Sequence, residues 1–388
     1  MSSKFTTARH VPFTRSDLSI KDQQCILKAL AIASSNGARS LDAGLEKSIE
    51  EFLGVRRALL TTSLDYALDI AAKVLAWGPE DEVILPSFAS MSIASAIMDR
   101  GARPVFAEID EATWNIDPVD VASRIASQTR AIIPVHYAGQ SCDMLLLTNI
   151  AKRFGLTIVE DASQALGAKF AGKPLGTRGT IGCFGFHFAM NTIRGEIGVF
   201  VTNDPHIAEK AEAIRDRKPQ CRSWSRKDID TYLWVNEKSL YARSDVLMVL
   251  ARSQLIQFEY MRQQRRVIWW HYQDWLSDLA QTGNIVLPWI DMQAGPNWHT
   301  YAFRVADPAM RDPLLSYLNL RGVEASAHYT PLHSSPLAQN YLEGATHELP
   351  ITDRVSKSLV RLPIYQGLTL EDQEYVIEVL LDFFAPRT

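Results

Sequence analysis

From Leu59 to Asn203, short apolar runs alternate with stretches whose apolar positions recur at helical spacing. Glu82-Val83-Ile84-Leu85 stops at Pro86, and Pro104-Val105-Phe106-Ala107 follows a helix-like Ser92 to Arg100. Ala131-Ile132-Ile133-Pro134-Val135, Leu156-Thr157-Ile158-Val159 and Val199-Phe200-Val201-Thr202 continue the series. Strands that are apolar on both sides and separated by helical patterns predict an α/β fold with a mostly parallel sheet covered on two faces. In such a sheet, ligands gather where strands end and loops begin. Ser244 to Leu279 is helical in period and rich in Arg, Gln and Trp, which reads as a helix linking two lobes. Beyond it, Thr300 to Val305, a helix near Pro313 to Arg321 and a last helix at Leu370 to Phe384 predict a smaller α+β lobe. The expected division is a large domain over residues 1–255 and a small C-terminal domain over 256–388.

The length of 388 residues suits one large core plus a smaller one. A hydrophobic share of 47% with 22% charged residues excludes a disordered chain. The net charge of −4, without a basic block, gives no electrostatic case for nucleic acid or an anionic membrane. Cys25, Cys142, Cys183 and Cys221 are widely spaced, which indicates neither a zinc site nor a disulfide framework but reduced thiols in a cytoplasmic protein. No apolar run reaches the length of about 18 residues that a membrane helix needs.

The motifs are more specific. Val135-His136-Tyr137-Ala138-Gly139, Val159-Glu160-Asp161-Ala162-Ser163-Gln164, Gly182-Cys183-Phe184-Gly185-Phe186-His187, His328-Tyr329-Thr330-Pro331-Leu332-His333 and Arg361-Leu362-Pro363 are spread over most of the chain. Together they resemble the DegT-type sugar aminotransferases, and among them the dTDP-4-amino-4,6-dideoxygalactose transaminases. The resemblance implies a fold-type-I architecture with a seven-stranded, mostly parallel sheet, a homodimer, a nucleotide-sugar ligand and pyridoxal phosphate as cofactor. It also implies roles. Asp161 would face the pyridine nitrogen and Gln164 the ring oxygen. Ser63, Leu64 and Asp65 would stand at the phosphate cradle, with Gly185 beside it and Ser90 at the ring face. His136, Tyr137, His187, His328, Tyr329 and His333 would lie on the substrate side, with imidazoles and phenols able to bind sugar hydroxyls, contact a diphosphate or act as acid and base.

Several of these positions depart from the family pattern. Met190 stands where relatives carry the lysine that binds the cofactor aldehyde, and no lysine lies between Lys173 and Lys210. A thioether has no amine to offer. Asp65 replaces a threonine in the first helical turn, where a carboxylate is expected to bond the free N–H groups itself, as an anion plug. It would repel a phosphate dianion by ~1 kcal/mol per charge pair at 4 Å in water. Gly185 replaces a serine hydroxyl, Ser90 replaces the aromatic that stacks on the pyridine, and Leu240 replaces an asparagine. Lys218, Arg222 and Arg226 sit in a basic loop suited to a diphosphate or simply to solvent, and Trp298 suits a sugar ring or the core equally.

Read together, these changes imply a nucleotide-sugar protein of amino-sugar or surface-polysaccharide biosynthesis that holds pyridoxal or pyridoxamine phosphate weakly or not at all. Three alternatives remain open at this stage: a cofactor-independent keto-sugar isomerase or epimerase using Asp161 and His187, a non-catalytic partner of an active relative, and a Lys-to-Met substitution made by hand in an active 4-aminotransferase.

Overall fold

A computed structural model describes residues 9–15, 18–36, 42–186, 196–216, 245–291, 294–341 and 348–385. The large lobe is built on a seven-stranded sheet. Its strands are β1 (Arg57–Thr61), β2 (Glu82–Pro86), β3 (Arg103–Ala107), β4 (Thr129–Ile132), β5 (Thr157–Asp161), β8 (Ile181–Gly185) and β9 (Gly198–Thr202), in the spatial order β1-β9-β8-β5-β4-β2-β3. Strands β3, β2, β4, β5 and β8 pair in parallel, while β9 runs antiparallel to both β8 and β1. The short hairpin β6 (Lys169–Phe170) and β7 (Lys173–Pro174) lies outside this sheet. Strands β2, β8 and β9 are buried at every position, as a sheet covered on both faces requires.

The apolar run expected to form a strand from Ala131 to Val135 is shorter in the structure. Pairing stops at Ile132, and Val135 makes only an isolated bridge to Asp161. Pro134 has no N–H to give to the ladder, but its carbonyl accepts from Asp161 N at 2.9 Å. The long helical stretch is also divided, into Asp245–Ile256, Phe258–Trp275 and Ser277–Gln281. The break falls at Gln257, whose side chain is drawn away to Asp22 Oδ1 at 3.0 Å.

The small lobe carries an antiparallel sheet of β10 (Ile285–Val286), β11 (Tyr301–Val305) and β12 (Leu359–Leu362) in that order. The helices Arg311–Leu320 and Leu370–Phe384 form close to where the sequence predicts them. Thr369 caps the latter by accepting from Asp372 N. The helix Phe258–Trp275 serves both cores: Phe258 and Met261 pack with the large lobe, and Ile268, Trp269 and Tyr272 with the small one. Trp298 packs against Trp269 and Trp270 at 5.2 and 6.0 Å, so its place is in the small-lobe core.

Polar groups join the lobes. Glu108, buried at the end of β3, accepts from Ile351 N and Thr352 N at 2.9 and 2.8 Å and so caps the small-lobe helix Pro350–Ser358. Ser87 Oγ, just past β2, accepts from His333 N at 3.0 Å and lies 2.7 Å from His333 Nδ1. No helix among the described residues is long and apolar enough to cross a membrane.

Candidate active site

Because β1, β2, β4, β5 and β8 run the same way, their ends share one edge of the sheet, and β9 begins there. That edge carries Ser63 and Asp65, Ser87 to Ser90, His136 and Tyr137, Asp161 to Gln164, and Gly185. Met190 and His187 lie outside the described residues, as do Lys218, Arg222, Arg226 and Leu240.

Asp161 ends β5 and is buried. One carboxyl oxygen accepts from Ser163 N at 2.9 Å. Burial pushes its pKa up, partly offset by the Ser163 hydrogen bonds and by His136. No helix follows it: residues 162–168 form turns, with Ala165 N bonded to Ala162 O and Ala168 N to Ala165 O. Asp161 therefore caps no helix and instead closes a turn on itself. In that turn Gln164 is fixed at both ends, its Oε1 accepting from Ala138 N and its Nε2 donating to Tyr329 Oη, each at 2.9 Å.

An aromatic layer stands beside this carboxyl. Phe88, Tyr137 and Tyr329 pack edge to face or tilted at centroid distances of 5.1 to 6.1 Å. His328 stacks on Tyr329 at 4.0 Å and 10°. Tyr137 Oη lies 3.3 Å from His328 Nδ1, and Arg361 Nη1 donates to His328 Nε2. Burial, the Arg361 charge and His299 hold the His328 imidazole neutral, its pKa pushed down to about 2. Both phenols have their pKa raised, first by burial. These aromatics and Gln164 bring three of the expected sugar-facing residues together.

The depressed pKa of His328 has a consequence for stability. An unfolded histidine titrates near 6.5, so below that pH the unfolded chain takes up a proton that the folded one refuses. Stability from this group is complete above pH ~6.5 and falls as the pH drops below it. Urea midpoints at pH 7 and pH 5 are expected to differ less in His328→Gln than in the parent protein; an unchanged difference would exclude His328 as its source.

His136 is not among the residues that face the pocket. Its ring is fully buried, with Nε2 2.9 Å from Glu160 Oε2 and Nδ1 accepting from Cys142 N at 3.1 Å. Neither nitrogen is left for a ligand, which corrects the expectation of a sugar contact. Glu160, also fully buried, takes the histidine and three backbone donors: Gly176 N at 2.8 Å, Arg178 N at 2.6 Å and Gly179 N at 2.5 Å. Its pKa is lowered although burial, the largest influence, opposes this, because the His136 and backbone hydrogen bonds together outweigh it. Sequence reasoning quoted Glu160 in a motif but gave it no role; its signal was a carboxylate within the strand Thr157–Asp161, directly after Ile158-Val159. His333 is half-buried, with Nδ1 at Ser87 and Nε2 3.6 Å from Asp353, and ties the lobes together.

The turn after β1 keeps its shape and loses its plug. Ser63 precedes the helix Leu64–Val74 in extended conformation without a side-chain cap, and Leu64 is buried. The hydroxyl of Thr62 is buried without a partner. Asp65 is exposed, and its carboxylate makes no hydrogen bond to the first-turn N–H groups among the described residues. The anion-plug expectation is corrected on that point, although the charge itself stays at the helix start. Ser90 caps the helix Met91–Met98, accepting from Ser92 N at 3.4 Å, so its hydroxyl has a structural use of its own.

Residues 29–381 match the DegT/DnrJ/EryC1/StrS aminotransferase family. The chain belongs to this family. Its members are sugar aminotransferases of amino-sugar and polysaccharide biosynthesis that depend on pyridoxal phosphate and take nucleotide sugars. The chain is 29% identical over 344 residues to the spore coat polysaccharide biosynthesis protein SpsC of Bacillus subtilis, covering 87% of this chain and 88% of that one. It is 30% identical over 341 residues to the GDP-perosamine synthase of Caulobacter vibrioides, covering 86% and 88%. Among solved structures, DesV of S. venezuelae in complex with a ketimine intermediate superposes with a TM-score of 0.83 at 28% identity, covering 98% and 100%.

Against this family, the residues present do not fit a covalently held pyridoxal phosphate. The buried carboxyl of Asp161 suits a pyridinium, and the uncapped turn at Ser63 with the unpartnered Thr62 hydroxyl retains the outline of an anion cradle. Asp65 opposes a phosphate there, Ser90 offers no ring to stack on, and Met190 supplies no amine.

Proposed function

We propose that this chain is a nucleotide-sugar-binding protein of amino-sugar or surface-polysaccharide biosynthesis, taking a dTDP-linked 4-keto-6-deoxyhexose, in which lysine-dependent transamination has been given up. Met190, with no lysine between Lys173 and Lys210, carries the reading. The sugar side of the pocket supports the other half of it, since Tyr137, His328, Tyr329 and Gln164 hold one another in place beside Asp161. The working unit is proposed to be a homodimer in the cytoplasm.

Separate calorimetric titrations with dTDP, pyridoxal phosphate and pyridoxamine phosphate test this. Binding of dTDP, with no absorbance band of lysine-bound pyridoxal phosphate, is the expected outcome. Formation of amino sugar from glutamate would overturn the proposal. Asp65→Thr is expected to tighten pyridoxal phosphate roughly five-fold, the equivalent of removing ~1 kcal/mol of charge repulsion. Adding Met190→Lys should then produce the missing band; if Met190→Lys alone gives it at full strength, Asp65 is not an obstacle.

A second reading is favoured by Asp161 alone. Burial raises the pKa of the Asp161 carboxyl, so it holds a proton more readily than an exposed carboxylate and can serve as a proton carrier. On this reading the protein isomerises or epimerises the keto sugar without a cofactor. Following solvent deuterium into the keto sugar by NMR decides it: exchange lost in Asp161→Asn supports it, and no exchange above background removes it.

A further inference from the structure

Beyond Val323, which is still in the small-lobe core, the chain crosses over and seats on the large lobe. Leu332, Ala338 and Leu349 pack into the core that contains Val83 and Leu85 of β2, and Val355 packs with Phe88 and Tyr137. Two polar grips hold this segment. At the end of β2, Ser87 O accepts from Leu332 N at 2.9 Å and Ser87 Oγ accepts from His333 N at 3.0 Å. At the end of β3, Glu108 accepts from Ile351 N, Thr352 N and Thr352 Oγ1. His333 stands between the grips. Its Nδ1 lies 2.7 Å from Ser87 Oγ, and its Nε2 lies 3.6 Å from Oδ1 of Asp353, in the first turn of Pro350–Ser358.

The geometry fixes where the protons sit on this ring. Ser87 is fully buried, its hydroxyl oxygen already accepts from His333 N, and among the described residues its hydrogen has no acceptor other than His333 Nδ1. Nδ1 is therefore bare, and the seated ring is neutral with its hydrogen on Nε2. A second proton can go only on Nδ1. It would make that nitrogen a donor and leave the serine hydrogen without an acceptor in a dry place, which costs a buried hydrogen bond. The charged groups that face the ring are Asp353 and Glu108, one within the first turn of Pro350–Ser358 and the other capping it. Both attract the proton, yet burial outweighs them and holds the imidazole below its ordinary range.

We infer that His333 is a pH-sensitive latch: neutral, it pins Leu332–Ser334 to the end of β2, and on taking up a proton it lets go of the Ser87 hydroxyl and turns to Asp353, loosening the lobe junction beside the candidate site. A released histidine titrates near 6.5, so the grip is complete above that pH and weakens as the pH falls below it. The latch holds whichever ligand the site takes.

Hydrogen exchange of the full chain at pH 7.5 and pH 5.5, read by mass spectrometry and corrected for the intrinsic chemical rates, tests this at the two amides that donate to Ser87, Leu332 N and His333 N. In the parent protein their protection is expected to fall by up to about ten-fold between the two pH values, the ceiling for one proton taken up by a group that titrates near 6.5 when released. His333→Asn places an amide oxygen where Nδ1 stands and takes the serine hydrogen at either pH, so its protection at pH 5.5 should equal that at pH 7.5. Ser87→Ala should lower protection already at pH 7.5 and raise the pH at which His333 takes its proton, followed by NMR of the labelled ring. If Ser87→Ala does not fold, His333→Asn carries the test. Protection that is the same at both pH values in the parent protein, or a loss in acid that survives in His333→Asn, overturns the inference.

Discussion

Glu160→Ala is expected to destabilise the protein by about 4 kcal/mol, within the range for removing one partner of a buried ion pair. The alanine leaves His136 Nε2 and the N–H groups of Gly176, Arg178 and Gly179 without their acceptor in a fully buried place. Glu160→Gln keeps the volume and one acceptor oxygen, so a loss of about half that size is expected. Urea denaturation at pH 7 measures both, and a loss below ~1 kcal/mol for Glu160→Ala would show that water or a shifted loop replaces the carboxylate. Because His136 lies two residues beyond Pro134 and next to Tyr137, the variant is also expected to weaken dTDP-sugar binding without any contact to the ligand.

Gly198→Ala is the second large effect, expected at about 3 kcal/mol, the upper part of the range for an overpacked core. A Cβ on Gly198 would lie 1.8 Å from Ser63 O and 2.2 Å from Thr61 Oγ1. Neither can step aside without breaking the turn: Thr61 pairs with Gly198 across β1 and β9, and its hydroxyl donates to Ser63 O at 2.7 Å. The same Ser63 carbonyl accepts from Ala67 N, so the helix start is carried along with it. Thermal unfolding should register the loss, and hydrogen exchange should localise it to the first turn of Leu64–Val74. Protection there equal to that of the parent protein would refute the account.

How much of this was legible in the sequence depended on the range of the interaction. Strands β2, β3 and β5 and the final helix follow from local apolar spacing and stand close to where it places them. Asp161, Gln164, Tyr137, His328 and Tyr329 came from motifs, and folding brings them together. The error at His136 has a different origin: a histidine between strand and loop has the same local sequence whether it faces a ligand or a carboxylate 24 residues away. Asp65 failed as a plug because a side chain in the first helical turn can point to water instead of the N–H groups, a choice of rotamer that spacing does not encode. Arg361 entered only through the motif Arg361-Leu362-Pro363, although a cation within Leu359-Val360-Arg361-Leu362, where a strand offers alternating positions to a buried face, was a signal of its own.

The helix Phe258–Trp275 has one further consequence. Its first turns are greasy toward one lobe and its later turns toward the other. A polypeptide cut at that seam would therefore expose a bare apolar strip on whichever piece kept the helix and an unfilled trough on the other. The two halves are thus committed to melting together, and neither is an interchangeable cassette that recombination could trade with another gene.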